Sequence, residues 1–279
     1  MTILSRLSQQ IQTYKALAVH DTNLVALLRE AEVIEEVFHS NAIENSTISM
    51  SNTEKILLEM EIEGSFNIRE IYEAKNLYSV YNYIEDRSPD ITLDNILLIH
   101  QFLVSNINDS IAGRLRGANE NVRVGKYLAP TGGHVHELIS ELLSKKVESI
   151  RDVARFHIDF ERIHPFNDGN GRIGRVLINW QLKKMDLPPA IIRSETKFKD
   201  YYPHFVGVDY DGFELQLSLR LLESLHKRNA YLQGKSIVSV SEYARKKRLV
   251  LSNELDKAAR MTIPAFREHG KWCIGVEGD

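Results

Sequence analysis

Apolar residues in the first part of the chain recur at the three- and four-residue spacing of helices. The pattern holds from Leu24 to about Arg87. Its apolar positions include Val33, Ile34, Val37, Phe38, Ile68, Ile71, Tyr72, Leu77, Tyr78 and Tyr81. The sequence Ser-Pro-Asp at residues 88–90 then interrupts the spacing. An N-terminal helical segment is therefore predicted over residues 1–90.

A second block, residues 91–233, is also mostly helical and contains one stretch of different character. Within residues 119–133, Val122 and Val124 alternate with polar residues, and three glycines and a proline punctuate the sequence. This pattern predicts a short β-hairpin, which is called the flap below. The fold class that follows is mainly α, with a helical core and a β-hairpin flap.

A third, small module is predicted at residues 236–279, after a linker-like Gly-Lys-Ser at residues 234–236. Its pattern of helix, turn, helix and short hairpin is similar to excisionase-like winged-helix modules. Residues 243–271 carry eight Lys and Arg against three acidic residues. DNA contact and docking to a partner protein are both compatible with this charge.

Composition narrows the setting in which the protein works. A net charge of -3 gives no overall attraction to nucleic acid or membranes. Cys273 is the single cysteine, so the chain forms no internal disulfide. No run approaches the ~18 apolar residues of a membrane span, and the N-terminus lacks the apolar region of a signal peptide. We expect a cytoplasmic protein with no membrane contact.

The most informative stretch is His-Pro-Phe-Asn-Asp-Gly-Asn-Gly-Arg-Ile-Gly-Arg at residues 164–175. A helical pattern precedes it and ends at Pro165, and another begins after the glycines and stops at Pro188. The stretch is thus predicted to be a loop that leads into the N-terminus of a helix. Such an N-terminus presents unpaired N–H groups and a partial positive charge, which favour a bound phosphate.

The residue types at this loop fit phosphate chemistry. Gly169 and Gly171 permit a turn that points successive N–H groups inward. Arg172 and Arg175 are three residues apart, so they share one face of the helix and are predicted to grip the same polyphosphate. These four positions predict an anion-binding loop.

Two further residues of the loop suit a metal and a proton transfer. Asp168 can hold Mg²⁺, which prefers one or two carboxylates together with phosphate oxygens and water. His164 has an unperturbed pKa of ~6.5 and is suited to take a proton from a hydroxyl near neutral pH. Phe166 is predicted to anchor the loop in the core.

Residues 164–175 match all eight specified positions of the signature His-x-Phe-x-(Asp/Glu)-Gly-Asn-Gly-Arg-x-x-Arg. The chain therefore resembles Fic proteins, most of which transfer AMP from ATP to protein hydroxyls. The resemblance implies that His164 is the general base, that Asp168 binds Mg²⁺ and that Arg175 meets the γ-phosphate. It assigns the α- and β-phosphates to the backbone amides of Gly169, Asn170 and Gly171. Related Doc toxins, which transfer phosphate, carry Lys at the position of Gly171, so glycine here favours nucleotidyl transfer.

Two other segments are similar to parts of the Fic site. Val124, Gly125, Lys126 and Tyr127 resemble the family's flap, which covers the nucleotide and pairs with the backbone of the target protein. Tyr201 and its neighbour Tyr202 resemble a tyrosine pair near the adenine pocket. An ordinary surface hairpin and ordinary core tyrosines are the alternatives for these side chains.

Ser40-Asn41-Ala42-Ile43-Glu44-Asn45 matches the Fic inhibitory motif (Ser/Thr)-x-x-x-Glu-(Gly/Asn). Ser40 and Glu44 are four residues apart and share one helix face. Asn45 tolerates the left-handed conformation that ends helices. A glutamate at a helix C-terminus is disfavoured by the helix dipole, which suggests a nearby cation. The resemblance names that cation as Arg175, so that Glu44 would keep it from the γ-phosphate.

Together these features predict an autoinhibited, Mg²⁺-dependent protein adenylyltransferase. Its substrates are predicted to be ATP and a Ser, Thr or Tyr hydroxyl of a protein, including the chain itself, and the resemblance suggests a homodimer. One alternative is removal of AMP from a modified protein by the same site. A second is a DNA-binding regulator that acts through residues 236–279.

Overall fold

The computed structural model describes residues 2–60, 65–125 and 127–278, and it confirms the mainly helical fold. Its α-helices are α1 Ile3–Ala18, α2 Thr22–Ile43, α3 Met50–Glu54, α4 Ile68–Arg87, α5 Leu93–Val104, α6 Val135–Ser144, α7 Ile150–Ile163, α8 Asn170–Lys184, α9 Pro203–Val206, α10 Tyr210–Leu232, α11 Val240–Lys247 and α12 Leu251–Ala259. The strands are β1 Arg123–Val124, β2 Tyr127–Leu128, β3 Ser236–Ser239, β4 Ala265–Glu268 and β5 Lys271–Val276. A π-helical turn, Lys55–Glu59, follows α3, and another spans Lys197–Tyr201.

The chain divides into two compact units. The larger unit contains residues 32–185 and 192–214. Its core is formed by α4, α5, α7 and α8, with α6 packed against α5 and α7. Phe160, Phe166 and Trp180 are completely or almost completely buried in this core. The Trp180 indole donates to the Pro89 carbonyl at 3.1 Å, so the one polar group of this buried ring has a partner.

Helix ends in the larger unit are set by local side-chain chemistry. Thr92 and Ser149 cap the N-termini of α5 and α7 by accepting hydrogen bonds from backbone N–H groups. Helix α2 stops at Ile43, and Asn45 then adopts a left-handed φ of 71°. The predicted left-handed cap at Asn45 is therefore confirmed, and it leaves Glu44 immediately beyond the last turn of α2.

The predicted flap is a very short antiparallel hairpin. Val124 pairs with Tyr127 and Arg123 pairs with Leu128. Gly125 opens the turn at a φ of 59°, a conformation that glycine adopts without strain. The second turn residue, Lys126, lies outside the described residues. The Tyr127 ring packs beneath the guanidinium of Arg162 on α7, 4.5 Å from the ring centroid, which attaches the flap to the core.

The smaller unit contains residues 2–31, 186–191 and 215–278 of the described chain. Helices α11 and α12 precede the predicted C-terminal hairpin, which is β4 and β5. Ser236, which looked like part of a linker, instead begins β3, and β3 completes an antiparallel sheet of order β3-β5-β4. Val240, Ala258, Ala265 and Ile274 form the buried core of this module.

The basic run of the C-terminal module lies at the end of α11. Arg245, Lys246 and Lys247 occupy its last turn, and Glu242 lies in its first turn. Positive charge at a helix C-terminus is favoured by the helix dipole, so the run has a local stabilising role whether or not it contacts DNA. Within the described residues, no helix is both long and apolar enough to cross a membrane.

Candidate functional site

The predicted anion-binding loop leads directly into α8. Gly169 precedes the helix with a left-handed φ of 83°. A Cβ at this position would lie 2.9 Å from Cδ2 of the buried Leu103, so both the backbone angle and the lack of space require glycine. The first N–H groups of α8 have no partner within the helix, and they form the positive end of its dipole. This arrangement suits a bound phosphate or carboxylate.

Asn170 shapes the loop with its side chain. Its Oδ1 accepts from the Phe166 N–H at 2.8 Å, and its Nδ2 donates to the Phe166 carbonyl at 2.8 Å. Asn170 is only 2 % exposed, because both ends of its amide bind the backbone beside it. Its side chain is therefore committed to the loop, which leaves the backbone N–H as its group for a ligand.

His100 is a buried support of this loop that the sequence analysis missed. Its ring stacks on Phe166 with a centroid separation of 3.8 Å. Nδ1 accepts from the Gly113 N–H at 3.1 Å, so Nε2 carries the proton and donates to the Asp168 carbonyl at 3.1 Å. Burial lowers the pKa of His100 to about 4, which keeps it neutral. This role was not predicted, because a single histidine within a helix belongs to no recognisable sequence motif.

His164 is held in the orientation of a proton acceptor. It ends α7 with a left-handed φ of 50°. Nδ1 lies 3.2 Å from the Glu161 carbonyl, which can only accept, so Nδ1 carries the proton and Nε2 is left unprotonated. Burial lowers the pKa of His164 below its usual value of 6.5. The imidazole is therefore neutral and basic at Nε2 near pH 7.

Arg116 fixes the backbone around His164 and was also missed. Its guanidinium donates to the carbonyls of His164 at 2.8 Å and Ile163 at 3.1 Å. It further donates to the carbonyls of Glu120 and Pro130, which flank the flap on either side. Arg116 is 2 % exposed, so a single buried guanidinium connects the residues on either side of the flap to the loop that contains His164. An isolated arginine carries no sequence pattern that would reveal this function.

Asp168 lies at the mouth of the loop with its side chain 39 % exposed. Its carboxylate accepts from the Gly169 N–H at 2.7 Å and from Arg69 at 2.9 Å. One exposed carboxylate fits Mg²⁺, which takes most of its ligands from phosphate and water. Among the described residues, no three His, Cys, Asp or Glu side chains form a metal cage.

The two arginines of the motif have different partners. Arg172 is 3 % exposed and lies 3.3 Å from both Asp168 and Glu73. Arg175 instead points toward the C-terminal end of α2, and its Nη2 donates at 2.8 Å to Glu44, the residue after this helix. The shared grip on a polyphosphate stays a prediction, and in this structure the two guanidiniums bind different carboxylates. Arg172 orients the carboxylate of Asp168, and Arg175 is the guanidinium that pairs with α2.

The predicted inhibitory residues contact Arg175 directly. Ser40 binds Arg175 twice, since its hydroxyl accepts from Nε at 2.9 Å and its carbonyl accepts from Nη2 at 3.0 Å. A Cβ at Gly171 would overlap Oε1 of Glu44. The carboxylate of Glu44 therefore lies against the first turn of α8, where a helix N-terminus favours an anion.

Tyr201 is buried behind Arg175. Its hydroxyl accepts from Arg175 Nη1 at 3.4 Å and lies 2.9 Å from Nε2 of His157. Burial raises the pKa of Tyr201, so the phenol remains protonated. With 3 % of its surface exposed, Tyr201 supports Arg175 in this structure, and its neighbour Tyr202 is the more exposed ring of the pair.

Glu161 places a carboxyl beneath the same arginine. Its Oε1 is buried and has no hydrogen-bond partner among the residues that the structure describes. A Cβ at Gly174 would lie 2.5 Å from this oxygen and 3.1 Å from Nδ1 of His157, so the glycine leaves room for both groups. Burial raises the pKa of Glu161 to about 8, which keeps the carboxyl protonated at neutral pH.

This pKa predicts a pH-dependent effect of Glu161→Gln on stability. Between the ordinary pKa of 4.5 and about 8, the folded state binds more protons than the unfolded state, so wild-type stability falls as pH rises. Glutamine is neutral at every pH, and the variant should gain several degrees of Tm over wild type at pH 8 but little at pH 5. Thermal unfolding at both pH values measures this gain. Glu141→Gln, at an exposed position, is the control, and equal gains at both pH values would contradict the assignment.

Comparisons with known proteins identify the domain that carries this site. Residues 90–182 match the family model described as "Fic/DOC family". The chain is 32% identical over 197 residues to protein adenylyltransferase Fic of Aedes aegypti, which covers 66% of this chain and 39% of that protein. It is 28% identical over 195 residues to protein adenylyltransferase fic-1 of Caenorhabditis elegans, covering 66% and 38%. The matched region thus spans about two fifths of the length of these curated relatives.

Solved structures show the same fold. A Fic-domain-containing signaling protein from Bacteroides thetaiotaomicron superimposes with a TM-score of 0.74 at 20% identity, covering 83% of this chain and 98% of that one. A Fic family protein from Desulfovibrio desulfuricans gives a TM-score of 0.66 at 22% identity, covering 100% and 98%. Since the signature loop, the fold and these relatives agree, the chain contains a Fic domain of the Fic/DOC family at residues 90–182.

Proposed function

We propose that this protein transfers AMP from ATP to a hydroxyl group of a protein. The relatives in the comparisons carry the name protein adenylyltransferase, and this chain has every specified residue of the Fic signature. The observation that carries the proposal is the placement of Glu44. Its carboxylate lies at the N-terminus of α8 and binds Arg175, the position that an ATP phosphate would take.

The reaction begins at His164. Nε2 takes the proton from a Ser, Thr or Tyr hydroxyl, and the oxygen forms a bond to the α-phosphorus of ATP. The bond from that phosphorus to the bridging oxygen breaks, and pyrophosphate leaves with its electron pair. The hydrogen bond from Nδ1 to the Glu161 carbonyl fixes the tautomer that this step needs. A neutral histidine near pH 7 is ready to act without prior deprotonation.

The phosphates are held by groups of α8 and the loop before it. The N–H groups of Gly169, Asn170 and Gly171 bind the α- and β-phosphates, and Arg175 binds the γ-phosphate once Glu44 has moved away. Asp168 would hold Mg²⁺, which neutralises phosphate charge when it is bound. Arg69 and Arg172, which flank Asp168, keep its carboxylate oriented.

The flap is proposed to bind the target protein. Each strand of the flap has two residues, and an extended segment of the target can pair with the open edge of this hairpin. Val124, Gly125, Lys126 and Tyr127 would cover the nucleotide, and Arg116 sets the distance between this hairpin and His164. A target hydroxyl carried on the added strand would then approach Nε2 of His164. The chain itself is one candidate target.

The proposal is tested by following the two ends of ATP separately. The Glu44→Gly variant is incubated with Mg²⁺ and ATP labelled at either the α- or the γ-phosphate. We expect α-label on the protein, an intact mass raised by one AMP and release of pyrophosphate. Retention of γ-label would instead indicate phosphate transfer, and the absence of both labels with no pyrophosphate released would contradict the proposal.

Removal of AMP by the same site is a second candidate. The observation that favours it is the exposure of the Glu44 side chain, which is 40% accessible while its Oε1 binds Arg175. A carboxylate in this place can orient a water molecule toward the phosphodiester of an AMP-modified protein. If Glu44→Gly abolishes removal of AMP from a premodified chain while transfer rises, then one glutamate governs both directions.

A further inference from the structure

A ten-residue segment, residues 193–202, forms hydrogen bonds with the C-terminal end of α2, the helix that ends next to Glu44. We call it the clamp segment. It contains the 3-10 turn Ser194–Thr196 and the π-helical turn Lys197–Tyr201. It lies outside the signature motif, and a function was predicted only for its tyrosines.

Lys197 makes the central contacts of the clamp segment. Its Nζ donates to the carbonyls of Ala42 at 3.1 Å and Ile43 at 2.9 Å, and to Oδ1 of Asn45 at 2.9 Å. Lys197 is only 9 % exposed, so this ammonium is largely removed from water. All three donors of the ammonium are thus used by the residues on either side of Glu44.

Lys197 compensates the negative charge at the C-terminal end of α2. The last carbonyls of a helix have no intrahelical partner, and they form the negative end of the helix dipole. Glu44 adds a further negative charge at this end. A buried cation bound to the carbonyls of Ala42 and Ile43 offsets both, and without it the turn that carries Glu44 would lose a charge-assisted anchor.

Other residues of the clamp segment reinforce the same end of α2. The Tyr202 hydroxyl donates to the Ile43 carbonyl at 3.0 Å. His39 lies within hydrogen-bond distance of Arg193 at 3.0 Å and Ser194 at 3.1 Å. The clamp segment therefore contacts two successive turns of α2, with Lys197 and Tyr202 nearest to Glu44.

The clamp segment also reaches Arg175. Tyr201, which lies between the two α2-binding residues Lys197 and Tyr202, accepts from Arg175 Nη1 at 3.4 Å. The same ten residues thus contact both the backbone on either side of Glu44 and the guanidinium to which Glu44 binds. A contiguous element of this kind can bias both groups together.

From this geometry we propose that Lys197 is the positioning residue for Glu44, and that the clamp segment is the element that must loosen for α2 to release Arg175. The inference rests on the proposed function of Glu44 as an inhibitor of AMP transfer. Lys197 acts through Glu44, so its loss should have no consequence where Glu44 is already absent. That dependence separates a positioning role from a general structural one.

The first test measures initial rates of AMP transfer in Lys197→Met, in Glu44→Gly and in the double variant. Methionine has a similar length and lacks the charge and the donors. We expect Lys197→Met to raise the rate at least tenfold over wild type, which corresponds to about 1.4 kcal/mol. In the Glu44→Gly background the same change should alter the rate by less than about twofold. Lys199→Met, two residues away at an exposed position, is the charge-matched control and should behave as wild type.

Two rate patterns would overturn the positioning role. An unchanged rate in Lys197→Met beside an active Glu44→Gly would show that Lys197 does not hold the inhibitor. An equal rise in both backgrounds would show that it acts elsewhere. An inactive Glu44→Gly would count against the proposed function and not against Lys197, which the second test addresses separately.

The second test measures the protection of the backbone around Glu44 and does not depend on AMP transfer. Hydrogen exchange followed by mass spectrometry should show faster deuterium uptake at residues 41–47 in Lys197→Met, with uptake in α8 unchanged. Lys197→Gln, which is shorter and polar, provides a second variant if methionine is poorly tolerated in this buried place. Wild-type protection at residues 41–47 in a folded variant would overturn the proposal whatever the transfer activity.

Discussion

Replacing Glu44 with glycine should raise the rate of AMP transfer by about a hundredfold, which corresponds to about 2.7 kcal/mol. In the structure, Glu44 occupies both the guanidinium and the space that the proposed phosphate site would use. Its carboxylate binds the guanidinium of Arg175 at 2.8 Å, and it fills the space above Gly171 at the N-terminus of α8. Glycine removes the carboxylate from Arg175 and empties the space above Gly171, while the hydrogen bonds to Ser40 keep the guanidinium in position.

The ion pair alone does not account for an effect of this size. A hydrogen bond to a charged group contributes roughly 1.5–3 kcal/mol. The Glu44 side chain is 40% exposed, and solvent screening reduces that value. The remainder must come from the excluded space, since a carboxylate and a phosphate cannot occupy the same first turn of α8.

The variant Glu44→Gln separates these two contributions. Glutamine keeps the bulk at Gly171 but loses the charge that binds Arg175, so its rate should lie between those of wild type and Glu44→Gly. Initial rates with α-labelled ATP, together with intact mass, measure all three proteins. A Glu44→Gly protein that remains folded and binds ATP yet transfers no faster than wild type would contradict the inhibitory role.

The sequence predicted those parts of the site whose residues lie close together in the chain. Residues 164–175 form the predicted loop and helix N-terminus, because glycine, asparagine and proline impose local backbone geometry. The left-handed cap at Asn45 was predictable for the same reason. The flap was recognisable from its alternating valines and its glycines.

Long-range supports of the loop were not predictable. Arg116 and His100 bind carbonyls and N–H groups of residues that are distant in the chain. Every residue has such backbone groups, so the sequence does not show which ones a side chain will bind. Lys197 was missed for the same reason, because two of its three partners are carbonyls of α2. Buried polar residues that bind backbone have no periodic spacing, so only the fold reveals them.

The predicted placement of Arg172 and Arg175 on one helix face shows a further limit. A separation of three residues places two side chains on one helix face but does not say which partners lie opposite. Here Glu73 and Asp168 bind one guanidinium, and Ser40 and Glu44 bind the other. Helix α1 lies within the predicted N-terminal helical segment, although the helical pattern was traced only from Leu24, and Leu7 and Tyr14 are its buried residues.

The second large effect is expected at His164. In the Glu44→Gly background, His164→Ala should lower the rate of AMP transfer by about a thousandfold, within the 10²–10⁴ range of general base catalysis. Alanine removes Nε2, the unprotonated nitrogen whose orientation is fixed by the hydrogen bond from Nδ1 to the Glu161 carbonyl. The affinity for ATP should change by less than about twofold, because the proposed phosphate ligands are the N–H groups of α8 and the guanidinium of Arg175, which this change leaves in place.

The pH dependence supplies a second signature of the same base. Burial lowers the pKa of His164, so the neutral form persists to a lower pH than in an exposed histidine. The transfer rate of Glu44→Gly should therefore be flat through neutral pH and fall only in acid, as Nε2 becomes protonated. The residual rate of the double variant should lack this acid limb.

Rates and ATP affinities of the two proteins, measured from pH 5 to 8, decide between a chemical and a structural role for His164. His164 also ends α7, and alanine accepts its left-handed backbone less readily than glycine does. His164→Gly is therefore the matched control, since it removes the imidazole and relaxes the backbone. An equal loss in both variants at unchanged ATP affinity assigns the loss to Nε2, whereas full activity in either would exclude His164 as the base.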